Sequence, residues 1–179
     1  TNSLNVQRKK LMTNKTWREF FPLKQPRKEQ EYILDRIVEK INSGEKTFIL
    51  EAGTGVGKSA IAVCLANYIT ATITGFDKYK KGAYILTSQK ILQDQYLRDY
   101  KSACDIRSSS NFSCHSGPGE TCGQTIRYNI DSNKKEKDQQ KTCPNCPYRN
   151  AKDNFISAPL GITNYSYFMS ETVYAGEIE

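Results

Sequence analysis

The sequence predicts an α/β fold in which helices cover both faces of a parallel sheet and a small cysteine-rich segment is inserted. Three features of the 179 residues predict this fold. A short apolar run leads into a glycine-rich loop and then a helix. A second apolar run follows at the spacing of a strand–helix–strand unit, which requires parallel strands. Five of the six cysteines fall in one later stretch that is poor in apolar residues.

The start of the chain is expected to be an arm that leads into a helix. Residues 1–20 show no sustained apolar period, and we expect Trp17, Phe20 and Phe21 to dock this arm onto the core. From Pro26 to Asn42, isoleucines recur every fourth residue and form one apolar stripe. This pattern predicts an amphipathic helix.

The central motif runs from Thr47 to Ser59. Residues Thr47 to Leu50 are apolar and β-rich, which predicts a buried strand, and a glycine-rich turn follows them directly. A helical pattern then begins at Lys58. Strand, glycine loop and helix in this order form the setting of a phosphate-binding loop, or P-loop.

The residue types of this loop suit phosphate binding. Three glycines let the backbone curl so that successive N–H groups point at phosphate oxygens: Gly53, Gly55 and Gly57. Lys58 is expected to reach the β- and γ-phosphates and Ser59 to ligate Mg²⁺, while the helix offers its positive end. Ala52 replaces the first glycine of the G-x-x-x-x-G-K-S/T motif, and a small residue there still allows a close turn.

Two further strands and two further helices are predicted downstream. Short buried strands are expected at Ala83 to Thr87 and at Leu160 to Thr163. Helices are expected from Gln89 to Tyr100, with a mixed apolar and polar face, and from about Tyr148 up to Pro159. The acidic residues Ser170 to Glu179 do not fit a helix or strand pattern.

The charge distribution favours a polyanionic partner such as nucleic acid. The net charge is +7, and residues 1–46 hold 11 Lys/Arg against 6 Asp/Glu. Residues 101–152 hold 9 against 5, whereas residues 153–179 hold none against 4. Because no apolar run is long enough to cross a bilayer and no signal core starts the chain, we expect no membrane partner. The expected location is intracellular, in the cytoplasm of a prokaryote or of a virus-infected host cell.

Four cysteines have the spacing of a structural metal site: Cys114-x7-Cys122-x20-Cys143-x2-Cys146. Disulfides do not suit an intracellular protein. Zinc and an iron–sulfur cluster both accept four cysteines, and ligand count alone favours zinc. Cys104 is then a spare thiol and His115 a bystander.

Several motifs follow one another in a recognisable order. They are Pro26-Arg-Lys-Glu-Gln30, Leu50 to Ser59, Tyr84 to Gln95, Arg107 to Cys114, Cys143 to Tyr148, and Ala158 to Tyr165. Over residues 22–170 this order resembles the XPD/DinG-like superfamily 2 DNA helicases. The resemblance implies a RecA-like motor domain, with its parts assigned as follows: N-terminal arm 1–20, first part of the motor domain 21–100, iron–sulfur insertion 101–150, and return to the motor domain 151–179, truncated before the DEAH motif.

The resemblance also implies site residues and cofactors. An upstream element, Arg27 and Gln30, would contact the adenine of ATP. The P-loop would hold the phosphates and Mg²⁺ through Ala52, Gly53, Thr54, Gly55, Val56, Gly57, Lys58 and Ser59. Lys58 and Ser59 would be the catalytic residues. The DNA backbone would be contacted by Thr87, Ser88 and Gln89. A 4Fe–4S cluster would be held by Cys114, Cys122, Cys143 and Cys146, which reverses the preference for zinc.

The implied function is that of the N-terminal part of an ATP-dependent DNA helicase that moves 5′ to 3′ on single-stranded DNA and opens forked duplexes. The 179 residues contain no Asp-Glu-Ala-His sequence, and a second motor domain, expected in the full-length chain, would supply an arginine finger. We therefore expect the fragment alone, a monomer, to hydrolyse ATP poorly. Two alternatives remain open: a nucleotide kinase whose zinc lid is held by four cysteines, and a zinc-stabilised nucleic-acid-binding module.

Overall fold

The computed structural model describes residues 15–72, 82–114, 121 and 145–175, and the chain divides into two compact units, Thr1–Ala83 and Tyr84–Glu179. The fold is mixed α/β, and the described residues contain a three-strand parallel sheet, as the sequence predicts. Every helix among these residues is too short or too polar to span a bilayer.

The first unit contains a 3-10 turn and two helices around one core. The elements are the turn Trp17–Phe20, α1 over Lys28–Asn42 and α2 over Lys58–Thr72. The buried side chains of this core are Trp17, Leu34, Ile61, Cys64 and Tyr68. Phe20 and Phe21 pack against them, and the Trp17 indole Nε1 donates to Asp35 Oδ1 at 2.7 Å. The predicted docking of these three aromatic residues is confirmed.

Helix α1 begins two residues later than the periodicity predicts. Arg27 has extended backbone angles (φ −80°, ψ 158°) and precedes the helix. Its backbone N–H donates to Gln30 Oε1 at 2.9 Å, which closes the first turn. A side-chain acceptor in the first turn thus sets the start of the helix.

The predicted strand from Thr47 to Leu50 is wrong. These residues lie outside any strand in the described part of the chain, and Ile49 is 97% exposed. Phe48 and Leu50 are exposed as well. Because a strand is stabilised by pairing with a neighbour, apolar and β-rich composition alone does not form one.

Cys64, in the middle of α2, packs as a small apolar residue, as its position predicts. It is completely buried, and its Sγ lies 3.3 Å from the backbone oxygen of Trp17. Burial raises the pKa of the thiol to about 12. The thiol therefore stays protonated and unreactive near neutral pH.

The second unit is built on the sheet, whose strand order is β1–β3–β2. Its elements in chain order are β1 (Ala83–Thr87), α3 (Lys90–Asp99), β2 (Cys104–Asp105), a 3-10 turn (Ser109–Asn111), α4 (Pro147–Ser157) and β3 (Leu160–Asn164). In the β2–β3 pair, which is parallel, Cys104 lies opposite Gly161 and Asp105 opposite Ile162. The predicted strands β1 and β3 are confirmed, and α3 and α4 contact the sheet.

One buried cluster of the second unit contains Ile106, Phe155 and Tyr167. The Phe155 ring stacks on Tyr84, with ring centroids 5.1 Å apart. A Cβ at Gly161 would lie 2.6 Å from the Phe155 ring, so a side chain at this position of β3 would collide with the stacked pair.

The buried face of α3 differs from the predicted mixed face. Its buried residue is Gln93, whose Nε2 donates to the backbone oxygen of Ile106 at 3.2 Å, whereas Ile91 is 69% exposed. Arg107 pairs with Asp94 on α3 and with Asp105 on β2. Polar contacts, rather than an apolar stripe, hold this helix against β2.

The residues after β3 are helical, which the sequence pattern did not predict. Helix α5 spans Tyr165–Met169 and continues as a π-helical turn over Ser170–Ala175. Asn164 is the N-cap of α5, because its Oδ1 accepts from the Tyr167 N–H at 2.8 Å. Glu171 forms a largely buried ion pair with Lys152 of α4 at 2.6 Å. These side-chain bonds, together with the burial of Tyr167, stabilise the helical turns after β3.

Candidate nucleotide-binding site

The P-loop spans Ala52 to Ser59 and ends in the first turn of α2. Gly55 and Gly57 have φ of 84° and 85°, a left-handed conformation that strains any other residue. Helix α2 begins at Lys58, so its unpaired N–H groups and its positive end lie at this loop. A curled backbone that leads into a helix N-terminus is the arrangement that suits an anion.

Gln30 of α1 is bonded to the loop. Its Nε2 donates to the backbone oxygen of Val56 at 2.9 Å, and its Oε1 accepts from the Arg27 N–H. The side chain is only 3% exposed. A Cβ at Gly57 would overlap Gln30 Nε2, so glycine at this position is required by both the positive φ and the close approach of Gln30.

Two cations also donate to the loop backbone. Arg27 Nη1 donates to the oxygen of Gly55 at 2.6 Å. Lys58 Nζ donates to the oxygens of Ala52 and Gly53 at 2.8 and 2.9 Å. With Gln30, three side chains therefore hold four carbonyl groups of one short loop.

The remaining loop residues differ in exposure. Lys58 and Thr54 are exposed, and Ser59 is half-buried in the first turn of α2. The structure thus brings together in the first unit all of the residues predicted to bind nucleotide, namely Arg27, Gln30, Ala52, Gly53, Thr54, Gly55, Val56, Gly57, Lys58 and Ser59.

The three residues assigned to DNA follow β1 in the second unit. Thr87 is 5% exposed, and its hydroxyl lies 3.2 Å from the Gln89 oxygen and 3.4 Å from the Thr163 oxygen. Ser88 and Gln89 are exposed. Thr87 therefore holds the turn, while Ser88 and Gln89 are the residues that a partner can reach.

One polar contact beside this turn was not predicted. Lys90, which follows Gln89, donates from Nζ to Asn111 Oδ1 at 2.9 Å, and Asn111 Nδ2 donates to the Ser108 oxygen at 3.0 Å. Asn111 belongs to the motif that leads to Cys114, but no local pattern pairs it with a lysine 21 residues earlier.

The structure describes two of the four predicted metal ligands. Cys114 and Cys146 are both buried, whereas Cys122 and Cys143 lie outside the described residues. Within residues 15–72, 82–114, 121 and 145–175, no three candidate ligands come together as a metal site.

The two described cysteines each lie beside a regular backbone element. Ser113, which precedes Cys114, forms an isolated antiparallel bridge with Thr121. Cys146 immediately precedes α4, with Pro147 at the first helical position. Cys146 thus lies at the N-terminal end of an 11-residue helix.

Comparisons with known proteins identify the family. The family described as type III restriction enzyme, res subunit (ResIII), matches residues 23–153, which include Gln30, the whole P-loop and Cys146. A search of curated proteins found no match, and a search of solved structures found none. The chain belongs to the ResIII family, whose domain is a superfamily 2 helicase-type motor of ATP-dependent enzymes.

Proposed function

We propose that this chain is the N-terminal part of an ATP-dependent DNA helicase of the XPD/DinG-like type, which moves 5′ to 3′ along single-stranded DNA and unwinds forked duplexes. Membership of the ResIII family supports a helicase-type motor. The observation that carries the proposal is the P-loop, whose carbonyls accept from Arg27, Gln30 and Lys58. The motif order supports the finer assignment and a second motor domain as partner in the full-length protein.

Lys58 and Ser59 are the proposed catalytic residues, with ATP and Mg²⁺ as cofactors. Lys58 can exchange its two carbonyl acceptors for phosphate oxygens, because a charged acceptor makes the stronger hydrogen bond. Ser59 would ligate Mg²⁺, and the ion, when bound, would help to neutralise the charge of the phosphates. Since the sequence contains no Asp-Glu-Ala-His, we propose that the chain alone binds MgATP and turns it over slowly.

Ser88 and Gln89 are the proposed contacts to the DNA backbone, and Thr87 holds their turn. Hydroxyl and amide groups of this kind donate to phosphate oxygens and fix register without reading sequence. Lys90, held beside them by Asn111, adds a positive charge. The net charge of +7 supports a polyanionic partner.

Cys114, Cys122, Cys143 and Cys146 are proposed to hold a 4Fe–4S cluster, with zinc as the alternative. Two of these cysteines, Cys114 and Cys146, are described as buried side chains, and Cys146 lies directly before α4; their spacing with the other two supports a four-cysteine metal site. When bound, such a group supplies a rigid crosslink to a segment with little apolar content. We assign it no part in ATP hydrolysis.

The function is tested by the affinity for single-stranded DNA with and without MgATP, measured by fluorescence anisotropy of a labelled oligonucleotide. We expect MgATP to change this affinity in the wild type and to leave it unchanged in Lys58→Ala. In a variant that carries both Ser88→Ala and Gln89→Ala, the loss of two hydrogen bonds of about 0.5–1.5 kcal/mol each predicts a dissociation constant raised by roughly five- to 140-fold.

The charge-matched control is Lys101→Ala, which removes an exposed lysine outside the P-loop and should keep the response to MgATP. DNA binding that ignores MgATP in the wild type would contradict the helicase proposal and indicate a nucleic-acid-binding module. Phosphoryl transfer from ATP to a nucleoside monophosphate would contradict it in favour of a kinase.

A further inference from the structure

Next to the turn that carries Ser88 and Gln89, polar side chains connect all three strands of the sheet. Thr163 lies in β3, the middle strand. Its backbone oxygen lies 3.4 Å from the Thr87 hydroxyl at the end of β1. Its own hydroxyl donates at 2.9 Å to the oxygen of Ile106, the residue that follows β2. Thr163 therefore contacts both neighbouring strands at their carboxyl ends.

The helix that follows the turn contacts the same carbonyl group. Gln93 of α3 donates from Nε2 to the Ile106 oxygen at 3.2 Å, so this oxygen accepts from both α3 and β3. At the other end, the Thr87 hydroxyl lies 3.2 Å from the Gln89 oxygen. Together with the backbone of the turn, these contacts close a ring, which we call the polar ring: Thr87, Gln89, Gln93, Ile106 and Thr163.

The polar ring is shielded from solvent except at the turn. Thr163, Gln93 and Ile106 are completely buried and Thr87 is 5% exposed, whereas Gln89 is exposed. Because bulk solvent does not reach the buried groups, loss of one bond leaves a polar group unpaired. Gln93 Oε1 has no hydrogen-bond partner among the described residues, a cost in stability that an apolar residue at this position would not carry. Stability alone therefore does not explain the bond from Gln93 to Ile106.

We propose that Thr163 and Gln93 are positioning residues for the turn that contacts DNA. They act by fixing the end of β1 and the start of α3 relative to each other, through the Ile106 oxygen that both side chains bind. Such a restraint reduces the conformational entropy that Ser88 and Gln89 lose when they bind a phosphate group. The inference rests on the proposed contact of these two residues with the DNA backbone.

The test is the affinity of Thr163→Val for a labelled single-stranded oligonucleotide, measured by fluorescence anisotropy. Valine is close to threonine in size, so the substitution removes the hydroxyl bond to Ile106 with little change in volume. We expect the dissociation constant to rise by about two- to twelvefold, the effect of one lost hydrogen bond. Thr163→Ser keeps the hydroxyl and should bind DNA as the wild type does. The matched control, Thr172→Val, removes a hydroxyl that donates to the Phe168 oxygen outside the polar ring and should also keep wild-type affinity.

A second comparison distinguishes positioning from a general loss of stability. In the variant that carries both Ser88→Ala and Gln89→Ala, no contact side chain is left to position, so adding Thr163→Val should not raise the dissociation constant further. An equal rise in both backgrounds would overturn the inference, as would wild-type DNA affinity in a folded Thr163→Val protein. If Thr163→Val fails to fold, as judged by circular dichroism, Gln93→Met removes the other bond to Ile106 and gives the same comparison.

The outcomes separate this inference from the function on which it rests. A wild type that does not bind the oligonucleotide would contradict the proposed DNA contact itself. The same conclusion would follow if the variant that carries both Ser88→Ala and Gln89→Ala bound with wild-type affinity.

Discussion

The P-loop is held by polar side chains that donate to its backbone, whereas the ends of the cysteine-bearing segment are held by aromatic packing. At the loop, Gln30 and Lys58 bind carbonyl oxygens at 2.8–2.9 Å. At the segment, Phe112 packs edge-on against Tyr148, with ring centroids 5.6 Å apart, beside the buried Phe155. Both regions contain residues that are predicted to bind a nucleotide or a metal, but different forces position these residues.

This difference separates two kinds of mutational effect. A hydrogen bond fixes direction and contributes only about 0.5–1.5 kcal/mol to stability. Burial of a large aromatic ring contributes more, since truncation costs about 3–5 kcal/mol, but it fixes direction less tightly. Changes at the P-loop should therefore appear mainly in ligand affinity, and changes in the aromatic core mainly in the free energy of unfolding.

The largest effect is expected for Phe155→Ala. Phe155 is completely buried and stacks on Tyr84, so truncation should lower the free energy of unfolding by about 3–5 kcal/mol. Urea denaturation followed by circular dichroism measures this loss. The matched control is Tyr165→Ala, at a 57% exposed aromatic residue, which should change stability by no more than about 0.5 kcal/mol.

If Phe155→Ala lowered the free energy of unfolding no more than Tyr165→Ala does, the assignment of Phe155 to the buried core would be contradicted. It would mean that packing around Phe155 contributes no more than an exposed ring. The comparison between the two regions would then fail.

A smaller loss of stability is expected for Cys146→Ser, because the Phe112–Tyr148 contact remains in this variant. Its metal content should change instead. Protein purified without oxygen should contain iron and acid-labile sulfide, and Cys146→Ser should lose both. Cys104→Ser alters the cysteine that is not a predicted ligand and should keep them. If the wild-type protein contained zinc and no iron, the 4Fe–4S cluster would be ruled out and a zinc site would be indicated instead.

The parts of the molecule that the sequence predicts are those defined by short-range spacing. Gly55 and Gly57 take the left-handed conformation that the glycine-rich motif implies, because the motif is contiguous. The contact of Lys58 with phosphate stays a prediction. Strands β1 and β3 were predicted from short apolar runs. The helicase-type motor is confirmed by the family match, while the XPD/DinG type and the cluster stay proposals.

The parts that the sequence did not predict depend on partners distant in the chain. The run from Thr47 to Leu50 has strand composition, but no neighbouring strand pairs with it in the described residues. Gln93 is buried because it reaches the Ile106 oxygen, and Lys90 finds Asn111 across 21 residues. A local pattern contains no information about such pairs.

The central claim is that the P-loop from Ala52 to Ser59 binds a nucleoside triphosphate, and its most direct test is a calorimetric titration of MgATP into the wild type and Lys58→Ala. We expect saturable binding by the wild type. Loss of the charged hydrogen bonds of Lys58 should raise the dissociation constant by about ten- to a hundredfold, while the Lys101→Ala control keeps the wild-type value. Equal MgATP affinity in the wild type and Lys58→Ala would contradict the claim.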